Sequence, residues 1–394
     1  HLANHNIAYH QDTVRNSPKF DPNHVAIDHL QVLLGNLLVS ENALQVDVQN
    51  IGGNLGSFTL DQLKTKIDVG MREAKVADLA LSTAGSDLNL EISARYGLWD
   101  SLPENLTNIF LEFDVSADLT HQDFAYFIPD SIFQLLDSIP DSQLELTGQY
   151  SDPLSQLDQL NLAIGQSHWL SSGTFKHLSH PDLRSWDQVQ VNATIGPEFE
   201  AFLTSLIGGI NWPSPTEIAL STHGNQQQFE VQTQVASSAG SASIKAKAGL
   251  KTESIVLHTS NITGHALELG SILSLPWLGP VDFTMEASGQ IGENMDLDVS
   301  GTVQKILLDE NLVQDLAFDG HLNSDHGDLT VEILDPEYPA SLHSEVSFAD
   351  GVAIKTDIEL MKFHLGELAS GDSSLVVSTV LSSQISIPDA TKLV

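Results

Sequence analysis

No residue in the 394 is a cysteine. That excludes disulfide staples, thiolate zinc sites and thiol nucleophiles, and leaves burial as the source of stability. Cations are scarce: 16 Lys and Arg stand against 52 Asp and Glu, for a net charge of −36. A surface this acidic repels phosphate backbones and disfavours lying on an anionic leaflet, so nucleic acid is not an expected partner. Aromatic residues, which sugar-cleaving clefts usually recruit as stacking platforms, are only 6 % of the chain, although Asp/Glu pairs of the kind such a cleft uses are everywhere. No apolar run reaches the roughly 18–20 residues that span a bilayer.

Chemical motifs are equally thin. There is no Gly-rich phosphate loop and no His-Glu-x-x-His, and Gly240-Ser-Ala-Ser-Ile does not match a nucleophile elbow. Two histidine clusters stand out, His1, His5 and His10, and His168, His177 and His180. Neither has the spacing of converging zinc ligands, and both read as solvated loop histidines. No catalytic residue, metal or cofactor is expected. The first residue is His1, which reads as a piece of a longer protein or a chain whose leader has been removed.

What is present is period-2 alternation, the mark of strands with one buried and one wet face. Leu44, Val46 and Val48 alternate with Gln45, Asp47 and Gln49. Leu88, Leu90 and Ile92 alternate with Asp87, Asn89 and Glu91. Val231 and Val235 lie between Glu230, Gln232 and Gln234. Phe283 and Met285 alternate with Asp282, Thr284 and Glu286. Leu297 and Val299 sit among Asp296, Asp298 and Ser300, and Leu329, Val331 and Ile333 flank Thr330 and Glu332. The pattern runs from about residue 25 to about 385. Gly52-Gly53, Gly85-Ser86, Gly292-Glu293-Asn294, Asp325-His326-Gly327 and Asp350-Gly351 suit tight reversals between the runs. Links this short make antiparallel neighbours.

Helical signal is confined to two stripes. One spans 196–210, with Pro197 in the first turn, then Phe199, Phe202, Leu203, Leu206 and Ile207, and Gly208-Gly209 as the stop. The other runs Phe124, Phe127, Ile128, Ile132, Leu135 and Leu136. Both read as short insertions that cap the apolar face. His265 to Leu273 and Lys362 to Ala369 form a weak repeat of strand, Leu-Gly and short apolar segment. Residues 1–24 read as irregular, 25–210 as a first β-section and 211–394 as a second, continuous with it; two domains meeting near 208–216 is the alternative reading. The stretch 170–187 reads as a polar, His-rich loop.

Some segments resemble a known family. They are Phe58-Thr-Leu-Asp-Gln-Leu63, Val76-Ala-Asp-Leu-Ala-Leu-Ser-Thr83, Ser86-Asp-Leu-Asn-Leu90, Asp118 to Pro129, Leu267 to Gly279 and Val281 to Ser288. In that order, over roughly residues 20 to 370, they resemble the middle section of the TamB branch of the AsmA-like proteins, in the form found in Bacteroidetes-type bacteria. The resemblance implies a periplasmic β-groove, an inner-membrane anchor and an outer-membrane barrel of the TamA kind met through parts outside this chain. It also implies phospholipid transfer and support of outer-membrane biogenesis, without catalytic residues. The strong acidity is not something the family implies.

The expected fold is therefore mainly β: an elongated antiparallel sheet curled into an apolar-lined groove, with a few short inserted helices. Phospholipid acyl chains are the expected ligand. The lining is assigned to Leu44, Val46, Leu88, Leu90, Ile92 and Leu146 in the first section. In the second it is assigned to Val231, Phe283, Met285, Leu297, Val299, Val331 and Ile333. Two other functions fit the same pattern: a scaffold that offers its sheet edge to outer-membrane strands, and a surface adhesin with a dry core.

Overall fold

The computed structural model describes residues 2–10, 24–56, 58–97, 109–120, 123, 140–199, 211, 213–251, 254–292, 295–308, 311–334, 339–347, 352–363 and 377–387. The chain divides into two compact units, His1–Leu203 and Thr204–Val394. The described part of each is almost entirely strand.

The first unit holds β1 (Leu2–His10), β2 (His24–Val39), β3 (Ala43–Leu55), β4 (Phe58–Gly70), β5 (Glu73–Thr83) and β6 (Asp87–Arg95). It continues with β7 (Phe110–Leu119), β8 (Ser142–Ser151), β9 (Leu154–Ile164), β10 (Ser167–Lys176) and β11 (Ser185–Ile195). Each strand pairs antiparallel with the next in the chain, as in Leu88 opposite Leu81 and Ala117. The second unit repeats the plan with β12 (Thr216–Asn225), β13 (Phe229–Ser237), β14 (Gly240–Lys251), β15 (Ser254–Glu268), β16 (Leu278–Gly292) and β17 (Asp296–Leu308). Then come β18 (Asn311–Asn323), β19 (His326–Ile333), β20 (Ala340–Ser347), β21 (Val352–Phe363) and β22 (Val377–Ile387). Links of two or three residues, such as Met71-Arg72 and Asp152-Pro153, leave no room for a crossover. A single helical turn, α1 (Leu269–Ile272), follows β15.

Period-2 patterning decides the faces. In β6, Leu88, Leu90 and Ile92 are half-buried while Asp87, Asn89 and Glu91 are exposed. Where the letters break parity, β-bulges restore it. Val76 lies opposite Ile92 and Leu79 opposite Leu90, so Ala77 and Asp78 together face Glu91 alone. Asp78 takes the left-handed conformation, φ 50°, and Leu79 returns to the apolar face. Ala266 (φ 47°) does the same between Gly264 and Leu267.

Several expectations are corrected. Residues 1–24 are not wholly irregular: Leu2–His10 forms β1, held by its ladder to β2 although its own letters hardly alternate. Gly52-Gly53 is not a reversal but lies inside β3, opposite Gln31 and Leu60. A Cβ at Gly52 would stand 3.0 Å from the Asp61 carbonyl oxygen, so close strand approach is what requires glycine there. The polar stretch 170–187 is mostly strand; only 177–184 lies outside the strands, and Pro181–Leu183 within it form a 3-10 turn. The stripe Phe124–Leu136, most of 196–210, the Leu365-Gly366 repeat and Asp350-Gly351 lie outside the described residues.

Candidate functional site

The ladders assemble one continuous apolar face in each unit. In the first, one cross-strand row reads Leu2, Val32, Ile51, Leu63, Leu81, Leu88, Ala117, Leu144, Leu162, Trp169 and Ala193, one residue from each of eleven strands. A parallel row carries Leu90, Val115, Leu146 and Leu160. Another carries Val46, Ile67, Val76, Ile92 and Phe113. Leu44 sits nearer the rim, between Val39 and Val69.

In the second unit Phe283 and Ile333 share the row Ile218, Val235, Ala242, Gly264, Phe283, Val303, Leu316, Ile333, Ala340 and Leu360. Met285 and Val331 share the next, with Ile262, Phe318, Leu342 and Ile358. Val231 and Val299 belong to a third, with Ala246 and Ala287, and Leu297 lies opposite Leu322. All thirteen residues assigned from sequence thus stand in these rows. All but Leu44, which is exposed, are half-buried.

Among the described residues each strand packs against its ladder neighbours rather than against a second layer. Among the described residues only nine apolar side chains are buried, most of them Ala or Val. Burying a large aliphatic side chain fully is worth about 1.5–3 kcal/mol, and a half-buried one leaves part of that unrealised.

Among the described residues glycine and phenylalanine pair directly across strands four times: Phe113 with Gly148, Gly264 with Phe283, Gly301 with Phe318 and Gly224 with Phe229. At the first three the ring lies against the place of the missing side chain. A Cβ at Gly264 would come within 2.3 Å of the Phe283 ring, and one at Gly301 within 2.7 Å of the Phe318 ring. Such aromatic cover offsets the weak strand tendency of glycine.

The opposite face is mostly polar, with Leu33 and Leu38 of β2 among its exceptions. One of its rows reads Gln232, Lys245, Asn261, Glu286, Ser300, Asp319, Thr330, His343, Asp357 and Ser382. Several of the few cations are placed beside acids: Lys66 with Asp78 at 2.7 Å, Lys247 with Glu230 at 2.7 Å, and Lys355 with Asp357 at 3.3 Å. His321 lies 2.8 Å from Asp298 and 3.5 Å from Asp296. The hydrogen bond to Asp298 and the nearby carboxylates raise the pKa of its imidazole. Two open crevices of about 390 and 380 Å³ lie on this polar side. Glu112, Asp114 and Asp158 line the first, and Glu286, Asp298 and Asp319 the second.

In the first unit two carboxylates pin the starts of the expected insertions. Asp123 accepts hydrogen bonds from Thr83 Oγ1 (2.5 Å) and Thr120 Oγ1 (3.1 Å). Glu198 accepts from the Gln166 N–H (2.7 Å) and Ser167 Oγ (2.8 Å), and the buried Ser167 Oγ accepts from the Gly196 N–H. At both, partial burial opposes ionisation, but the hydrogen bonds outweigh it and hold the carboxyl below its usual range. Next to Glu198, the Phe199 ring meets Trp169 edge-on at 4.9 Å. Trp169 belongs to the apolar row, so this first turn leans over the apolar face.

The histidine cluster of 168–180 does not converge. His177 and His180 flank the Asp152 carboxylate at 3.6 and 3.7 Å, and Ser179 hydrogen-bonds to it. His168 stands apart on β10. Among the described residues no group of three or more His, Asp or Glu could hold a metal ion, and no helix is long and apolar enough to cross a membrane. No family model, curated protein or solved structure matches the chain.

Proposed function

We propose that the apolar faces hold the acyl chains of phospholipids, and that the chain is a section of a periplasmic bridge of the TamB kind between the inner and outer membranes. The observation that carries this reading is the run of apolar rows through the strands of each unit, with no packed layer over them among the described residues. Aliphatic side chains suit acyl chains because they present no polar group that would need a partner. At about 0.8 kcal/mol per buried methylene, a chain of about 16 carbons half-covered by the face gains roughly 6 kcal/mol. That is enough for residence and weak enough for exchange. Headgroups lie in water at the open side, and transfer is passive. The envelope setting, the contact with a barrel of the TamA kind and the support of outer-membrane biogenesis follow from the sequence resemblance. In this reading the protein is not an enzyme and uses no cofactor.

The test is native mass spectrometry of the purified chain, followed by lipid extraction and identification. Copurified phospholipid, lost in folded Val299→Asp and Val331→Asp variants, supports the reading. A lipid-free mass from the folded wild-type chain, or lipid retained by both variants, refutes it.

A further inference from the structure

In the second unit the margin where β15 passes into β16 carries almost no charge. From Leu269 to Val281 the chain reads Leu-Gly-Ser-Ile-Leu-Ser-Leu-Pro-Trp-Leu-Gly-Pro-Val, without one acid or base, although Asp and Glu number 52 in the whole sequence. Two other uncharged segments join it. The Glu268 N–H donates to Ala239 O at 2.8 Å, in the turn Ser237-Ser238-Ala239-Gly240 between β13 and β14. Asn211, ahead of β12, reaches α1. The acids that border these segments are Glu217, Glu268 and Asp282. Asp282 is already engaged, by the Ala266 N–H at 2.7 Å and by His265 at 2.9 Å.

An exposed turn in water usually shows polar side chains and leaves the last carbonyls of its helix to solvent. At this margin the arrangement is inverted. Leu273 is 40 % exposed and Trp277 50 %, and Pro276 between them is exposed as well. The backbone, by contrast, is satisfied from within. Leu269 O accepts from the Leu273 N–H, Gly270 O from the Leu275 N–H and Leu275 O from the Leu278 N–H, at 2.8–2.9 Å. Ile272 O accepts from the Asn211 N–H at 2.7 Å. The Asn211 side-chain amide donates to Ser271 O at 3.1 Å and to Ser274 Oγ at 2.9 Å. The turn is also tightly built, since a Cβ at Gly270 would collide with the Leu278 carbonyl. We infer that the tip Leu273–Trp277 seats in the interfacial layer of a lipid bilayer whose headgroups bear no net charge, such as phosphatidylcholine. Backbone groups that already have partners can leave water without penalty. The tryptophan ring, apolar with one polar N–H, suits the level of the headgroups, and no acid of the tip has to be desolvated. The rest of the chain, at net charge −36, is repelled by an anionic leaflet, which selects the neutral one. A protein partner would find few backbone groups free to bond here. The inference does not depend on what the apolar faces carry.

The test is flotation of the purified chain with phosphatidylcholine vesicles. The chain should float with them, and admixed phosphatidylglycerol should weaken the association at low salt, with part of it restored as salt is raised. Leu273→Asp should need about tenfold more lipid for half-maximal binding, with an unchanged strand signal in circular dichroism. Gln227→Asp adds the same charge in the turn between β12 and β13, at the opposite margin, and should bind as wild type does. A second measurement locates the contact. Brominated phosphatidylcholine in the vesicles should quench tryptophan fluorescence, and Trp277→Phe should diminish the quenched fraction. If Leu273→Asp misfolds, the quenching alone decides. No association with phosphatidylcholine vesicles, equal losses in Leu273→Asp and Gln227→Asp, or quenching undiminished in Trp277→Phe overturns the inference. Lipid that copurifies with the chain should remain in Leu273→Asp, so the tip and the apolar faces can fail independently.

Discussion

The pairing of Gly264 with Phe283 allows a magnitude to be worked out in advance. Replacing Gly264 by Ala places a Cβ 2.3 Å from the Phe283 ring and 2.7 Å from Leu267 Cδ1. Real contacts of this kind do not fall below about 3 Å, so the ring must leave its position over the strand. Overpacking of this sort costs about 1–3 kcal/mol, against a gain of about 0.5–1 kcal/mol from replacing glycine in a strand. The net expectation is a loss of about 1–2 kcal/mol. The thermal midpoint of the second unit should therefore fall by about 2–8 °C, at about 2–4 °C per kcal/mol. Gly70→Ala is the control, since its nearest neighbours stand at 3.6 Å and its φ is ordinary. It should be neutral or slightly stabilising. Adding Phe283→Leu to Gly264→Ala should recover part of the loss, with a favourable coupling in the double-mutant cycle. Wild-type stability for Gly264→Ala, or equal losses at Gly264 and Gly70, would refute the argument that the ring occupies the glycine's place.

The remaining expectations concern charge and the apolar rows. The Glu198 carboxyl is held below its usual range, so its contribution is present at neutral pH and lost as pH falls below about 4. Glu198→Gln should cost about 1 kcal/mol at pH 7, after allowing for its partial exposure, and the difference from wild type should vanish in acid urea titrations. His321 has the opposite sign. Its raised pKa gives a contribution present below about pH 6.5 and lost as pH rises through the higher folded value. His321→Asn should therefore lower the melting midpoint at pH 5.5 and leave it unchanged at pH 9. Val299→Asp should lose about 1 kcal/mol, the worth of a half-buried valine. A much larger loss in chemical denaturation would mean that this face is a packed core.

The alternation of Leu88, Leu90 and Ile92, and of Leu297 and Val299, made the strands and their faces readable, because a one-layer sheet imposes period 2 with little tertiary interference. Bulges were not readable. Nothing in the letters around Asp78 or Ala266 says that parity resets there, since a bulge is a decision of the ladder. The Gly52-Gly53 pair misled for a related reason: glycine serves close strand approach as well as reversal, and only the neighbour chooses. The strand Leu2–His10 is not legible in the letters, because its polar and apolar residues hardly alternate.

Because each ladder within a unit joins strands consecutive in the chain, position across the sheet advances steadily with residue number. Such a structure changes size in whole hairpins. Duplicating or deleting two strands shifts the rest by about 10 Å and leaves every later strand pointing as before. Losing a single strand would reverse all that follow and carry each loop, together with anything it anchors, to the opposite margin. A lineage of such chains should therefore differ by even numbers of strands.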